Sequence, residues 1–141
     1  MPESTNIPIT ALPLLGQALS PFGAELVIAE WTAEGCPPDV EPMRIAPLHI
    51  HHEDDEAWYV LEGKLAIQVG DSVVEAAGGS AVIAPRGVKH TFWNPAPEPA
   101  RYLIIMNKRI QSLIDAIHAM EQRDSESMRA LFAQYKAELL E

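Results

Sequence analysis

The stretch His49-Ile50-His51-His52-Glu53-Asp54-Asp55-Glu56 decides how the rest of the chain reads. On a strand, residues two apart point to the same face. His49 and His51 therefore aim two imidazoles at one point, while Ile50 faces away. Glu56 opens the next predicted strand, and an antiparallel neighbour brings its carboxylate to the same point. A further histidine, His90, follows the turn Pro85-Arg86-Gly87-Val88-Lys89. Three imidazoles and one carboxylate suit one borderline divalent ion: Fe(II), Mn(II), Ni(II), Cu(II) or Zn(II). Four protein ligands on an octahedral ion leave two positions open for substrate or dioxygen. His52 and His118 read as surface or satisfied polar residues. The run Glu53-Asp54-Asp55 reads as a solvated loop that adds negative potential near the cation.

Outward from this stretch the chain divides into three textures. Residues 1–21 are Pro-interrupted, without a clear period, and are expected to form an arm across the domain. Residues 22–107 hold short runs rich in Val, Ile, Leu and aromatics. The expected strands are Phe22–Trp31, Met43–His51, Glu56–Leu61, Lys64–Val69, Ser72–Glu75, Ser80–Ala84, His90–Trp93 and Arg101–Asn107. Turn chemistry separates them at Glu62-Gly63, Gly70-Asp71, Gly78-Gly79, Pro85-Arg86-Gly87 and Pro95 through Pro99. Many short strands with frequent turns predict an all-β sandwich or barrel. Residues 108–141 change period. Ile110, Leu113, Ile114, Ile117 and Met120 form one stripe of an amphipathic helix. Asp124 or Ser125 caps a second helix, whose stripe is Met128, Leu131, Phe132, Tyr135 and Leu139.

Length and charge narrow the function classes. The chain has 141 residues with a net charge of −10. Surface scaling gives roughly 7,200 Å² folded against roughly 22,500 Å² unfolded, enough burial for one self-supporting core. An acidic chain without a basic stripe is a poor partner for nucleic acid or anionic membranes. The single cysteine, Cys36, makes no intramolecular disulfide and reads as a small semi-buried thiol. The N-terminus has no basic region, so no signal peptide is expected there. The longest continuous apolar run, Tyr102 to Met106, is far short of the ~20 residues of a membrane helix. A soluble, cytoplasmic protein is expected.

Two spaced motifs carry a family resemblance. HxH, four residues, Glu, six residues and Gly is met by His49, His51, Glu56 and Gly63. Gly, five residues, Pro-x-Gly, two residues, His, three residues and Asn is met by Gly79, Pro85, Gly87, His90 and Asn94. The pair closely resembles the cupin family, in particular the quercetin dioxygenase-type small cupins. The family often has a Gly where this chain has Met43. The resemblance implies an antiparallel jelly-roll barrel (a double-stranded β-helix), here over residues 22–107 with two C-terminal α-helices. It also implies His49, His51, Glu56 and His90 as ligands of one metal ion, and Asn94 as a residue that ties down a turn. Binding should weaken below about pH 6, since the imidazoles must be neutral to ligate.

Strand parity places Met43, Ile45 and Pro47 on the side of His49, Phe92 with His90, and Trp58 and Val60 with Glu56. The substrate pocket is expected from Met43, Ile45, Trp58 and Phe92, with Tyr102, Ile104 and Met106 adding to it. Such a cavity suits a small flat or apolar ligand. Few acid–base groups accompany the ligands: Glu56 can be ligand and catalytic base, and Gln68 or Arg44 can orient substrate. The leading expectation is a dioxygenase acting on a small aromatic or enolisable substrate. The alternatives are a non-redox metal-dependent isomerase or decarboxylase, and a non-catalytic small-molecule binder. The helices either seal the barrel or build a homodimer interface, and the arm can cross to a partner subunit.

Overall fold

A computed structural model describes residues 14–141. Ten strands, two α-helices and a short 3₁₀ helix (Pro21–Gly23) make up this part. One antiparallel sheet runs β1 (Ala18–Leu19), β2 (Leu26–Ala33), β9 (Ala100–Asn107), β4 (Glu56–Glu62) and β7 (Ala81–Ala84). The other runs β10 (Ala137–Leu139), β3 (Arg44–His51), β8 (His90–Trp93), β5 (Lys64–Val69) and β6 (Ser72–Ala77). Buried Val27, Trp58, Leu65, Ile67, Phe92 and Ile104 come from both sheets and form one core between them. The architecture is the jelly-roll barrel expected from the sequence. Of the expected arm, residues 1–13 lie outside the described residues, and β1 pairs with β2 of the same chain.

The chain changes sheets at Gly63, the single residue between β4 and β5. Its φ is +79°, in the left-handed region that favours glycine. A Cβ there would lie 2.6 Å from the Pro99 carbonyl oxygen. Strand β9 shows why the last run of the barrel is so apolar on one side. Ala100, Tyr102, Ile104 and Met106 are buried in strict alternation with half-buried neighbours.

Asn94 ties down a turn, as the motif implies. Its amide donates to the carbonyl oxygens of Glu34 at 3.1 Å and Glu98 at 2.9 Å. Its Oδ1 accepts from the Ala96 amide at 2.9 Å. The side chain is buried, so truncation removes its bonds to three backbone groups at a packed site. Asn94→Ala should cost about 2–3 kcal/mol in urea denaturation. A change within 0.5 kcal/mol would contradict this role.

The C-terminal segment departs from the expected helical appendage. Helix α1 (Lys108–Ala119) follows β9 directly, and Asn107 caps it by accepting from the Ile110 amide at 3.0 Å. Helix α2 (Ser125–Gln134) starts at Asp124, which accepts from both the amide and hydroxyl of Ser127 at 2.9 Å. The helical stripe was expected to continue to Leu139, but the helix stops at Gln134. Lys136 takes a left-handed turn at φ +59°, and the chain resumes as β10. This strand pairs with β3 in the register Ala137↔His51 and Leu139↔His49. Glu141 fastens the end: it accepts from the Leu48 amide at 2.8 Å and from Arg44 at 2.6 Å. Propensity favoured helix, and an open strand edge on β3 with unpaired backbone groups won.

Candidate metal centre

Each candidate ligand is positioned by ladder geometry. His49 and His90 are direct cross-strand partners on β3 and β8, so their rings stand 4.3 Å apart. His51, two residues along β3, puts its Nε2 3.1 Å from the Nε2 of His49. Glu56 arrives differently from the expectation. It stands on β4, in the opposite sheet, rather than on an antiparallel neighbour of β3. Its Oε1 lies 3.2 Å from Nε2 of both His51 and His90. The centre therefore clasps the two sheets together, three imidazoles from one and a carboxylate from the other. All four side chains are buried, and their candidate ligand atoms lie within 4.8 Å of one another.

The surrounding loops hold this arrangement. The acidic run was expected to be solvated, yet Asp54 is buried. Its Oδ1 accepts from Asn107 Nδ2 at 2.6 Å, which ties the β3–β4 loop to the cap of α1. Asp55 takes a forked contact from Arg86, with Nε at 3.2 Å and Nη2 at 2.9 Å. Those bonds hold the Asp55 carboxyl below its ordinary range. The Gly87 amide donates to the His51 carbonyl at 2.8 Å. The two motif loops are thus bonded to each other.

The donor set fits a cation. His49 Nδ1 is 2.6 Å from the Pro47 carbonyl and His90 Nδ1 is 3.3 Å from that of Val88. With Nδ1–H given to those carbonyls, each Nε2 turns a lone pair toward the other ligands. Converging lone pairs and a carboxylate call for positive charge between them. A proton on His49 is a poor solution: burial first, and then the neighbouring His90 and His51, lower its pKa to about 3. Burial alone would raise Glu56, but hydrogen bonding and charge from His51 and His90 overcome it and hold the carboxyl well below its ordinary range. A divalent ion satisfies all four donors.

Over the cluster lies a cavity of about 240 Å³. Trp58, Phe92, Tyr102 and Ile104 line its barrel side, and Ile114, Met128 and Phe132 its helical side. Phe132, almost fully buried, places its ring 5.5 Å from that of His49. The helices therefore cover the mouth of the barrel. Of the expected pocket residues, Ile45, Trp58 and Phe92 line this cavity and Met43 does not. Met43 is 85% exposed, just ahead of β3. Ile45 and Pro47, of the same parity, do line the cavity, but the strand begins only at Arg44, so its alternation does not extend to Met43. Tyr102 and Ile104 join the lining, whereas Met106 does not. Arg44 is held by Glu141 and Gln68 bonds to the Gly70 carbonyl, so neither reaches the cavity. His52 pairs with Glu138 at the surface. His118, read as a surface or satisfied polar residue, and Arg123, not singled out, both line the cavity. No local motif marks them, because the α1–α2 connection brings them there.

Residues 39–106 match the family model of the cupin domain, and the chain is a small cupin-superfamily protein. An uncharacterized protein from Streptomyces coelicolor is 38% identical over 56 residues, which are 40% of this chain and 52% of the relative. The chain thus spans about half the length of the curated relative it matches. Sugar phosphate isomerase from Silicibacter pomeroyi superposes with a TM-score of 0.50 at 22% identity, over 64% of this chain and 52% of that one. Salicylate 1,2-dioxygenase from Pseudoaminobacter salicylatoxidans gives 0.51 at 16% identity, over 64% and 25%. At these identities the likeness to solved structures concerns the fold. Among the described residues, no helix is long and apolar enough to cross a membrane.

Proposed function

We propose that the chain binds one divalent transition metal through His49, His51, Glu56 and His90 and is an oxygenase for a small aromatic or enolisable substrate. One observation carries this reading: four buried ligand atoms converge, and His49, His51 and Glu56 among them form the floor of a cavity whose other walls are mostly apolar and aromatic. When bound, such an ion supplies Lewis acidity toward an enol or phenol oxygen and, if redox-active, a route to dioxygen. The three histidines fix the site, and Glu56 stays anionic there. Trp58, Phe92 and Ile104 exclude water and flank a flat ligand. Burial first, and the Glu56 charge second, raise the Tyr102 phenol above its ordinary pKa. It therefore remains a protonated donor at neutral pH.

The barrel does not choose between chemistries, since structural neighbours with this fold include a dioxygenase and a sugar phosphate isomerase. The lining favours the first, because a sugar phosphate needs many polar partners and this wall offers few. An oxygen electrode decides between them. Protein loaded with Fe(II), Mn(II), Ni(II) or Cu(II) should consume oxygen in step with substrate loss on some member of a phenol and enol panel. No uptake with any pair overturns the reading, and turnover that persists anaerobically or with Zn(II) supports a non-redox isomerase or decarboxylase. The homodimer belongs to the same proposal. Sedimentation at twice 15.5 kDa supports it, and a 15.5 kDa species rejects it.

A further inference from the structure

The cavity runs from a buried floor at the ligand cluster to a rim where Ile45, His118 and Arg123 are solvent-exposed. Charge pairing singles out one residue on that rim. The chain has ten basic side chains against twenty acidic ones. Arg44, Lys64, Arg86, Lys89, Arg101 and Arg109 each lie within ion-pair distance of a carboxylate. Arg123, like Lys108, Arg129 and Lys136, makes no ion pair with any described carboxylate, and of these four it alone lines the cavity. The nearest in sequence, Asp124, is occupied in capping α2 through Ser127. A guanidinium left over in so acidic a chain, on a cavity wall, is open to an anion from outside.

The walls give a second, independent sign of a ligand. Trp31 and Trp58 both line the cavity, and the buried indole Nε1–H of each has no acceptor. Buried donors of this kind are ordinarily satisfied, so two unpaired ones among the residues of one cavity lack an acceptor that the protein does not supply. The volume of about 240 Å³ falls below the roughly 300–1,000 Å³ of pockets for drug-sized ligands. A single ring or a short chain fills it.

We propose that Arg123 reads the anionic end of the ligand, and that the ligand is a small carboxylic acid with an apolar body about one ring in size. The carboxylate sits at the rim on Arg123, the body lies against Trp31, Ile114 and Met128, and the far end meets the ligand cluster. This assignment rests on the cavity being the binding site of the proposed function. One guanidinium set in an apolar wall matches a single negative charge better than a phosphate dianion.

Benzoate and its neutral isostere benzamide test the assignment, titrated into the purified protein before and after chelator treatment. Quenching of tryptophan fluorescence reports occupancy beside Trp31 and Trp58. Benzoate should bind about tenfold or more tighter than benzamide in both preparations, as expected for a charge-assisted hydrogen bond. Arg123→Gln should abolish that preference and leave benzamide binding unchanged. Arg129→Gln, an exposed residue of α2 outside the cavity lining, should keep it. Equal binding of the two probes, binding of neither, or a preference that survives Arg123→Gln overturns the assignment. A preference seen only before chelation also overturns it, because the ion would then be taking the carboxylate. A preference that persists in chelated protein, when metal-loaded protein takes up no oxygen with any member of the phenol and enol panel, sinks the oxygenase and leaves this assignment standing.

Discussion

Replacing His51 or His90 by alanine should lower bound metal roughly a hundredfold or more while the barrel stays folded. Loss of a partner that only orients a ligand typically costs 10–100-fold in affinity, and loss of the ligand itself costs at least as much. Each imidazole faces the cluster, with Nε2 3.2 Å from Glu56, and neither is the apolar mass of the core. The ladders that hold the strands run through backbone groups: His90 pairs with both His49 and Val69, and alanine keeps those bonds. Elemental analysis per mole of protein, with circular dichroism to check folding, reads the result. His52→Ala serves as the control, because His52 meets Glu138 at the surface and lies outside the cluster. Full occupancy in both His51→Ala and His90→Ala would falsify the site.

Acid should destabilise the metal-free barrel steeply between about pH 6.5 and pH 3. The ordinary pKa of 6.5 applies to His49 in the unfolded chain, whereas burial and its imidazole neighbours bring it to about 3 in the folded one. Across that window the unfolded state binds a proton that the folded state refuses. Stability therefore rises with pH, by up to about 1.4 kcal/mol per unit from this one group. Glu56 acts in the same direction. Its folded pKa lies below the ordinary 4.5, so its contribution is complete above that value and disappears as pH falls through the folded one. Several kcal/mol is a large share of the roughly 5–15 kcal/mol of a typical domain. Bound metal steepens the response, since ligation needs neutral imidazoles. Denaturation of chelated protein at several pH values tests the sign, and His49→Gln should flatten the slope by about 1 kcal/mol per unit. Parallel slopes for the two proteins would exclude His49 as the source.

Where local rules govern, the sequence was readable. The spacing of His49, His51 and Glu56 and the turn before His90 encode strand alternation and ladder partners, and the structure brings those four side chains together. The helical stripes from Ile110 and Met128 follow from a 3.6-residue period, and both form helices. The misreadings share a different cause. Met43 misses the cavity because β3 begins one residue after it, at Arg44, where pairing with Trp93 of β8 starts. Leu139 sits on a strand because β3 offered an edge that no local pattern reveals. Asp54 turned inward because Asn107, 53 residues away, supplies its donor. Arg123 and His118 reach the cavity only through the packing of α1 and α2 over the barrel. Each depends on a partner distant in sequence, where periodicity carries no information.

The strand that carries His49 and His51 owes its second edge to the far end of the chain: Arg44 and Glu141, which clasp β3 to the residues after β10, are 97 positions apart. Closing so long a loop costs little at equilibrium, since loop entropy grows only as the logarithm of length, roughly 0.6 kcal/mol per doubling. The rate is another matter, because distant pairings are the slow ones to form. Among the described residues, the imidazole-bearing strand is thus finished by the side-chain hydrogen bond of greatest sequence separation. Order of assembly, and not only final geometry, governs how long those ligands stand open to whatever ion arrives first.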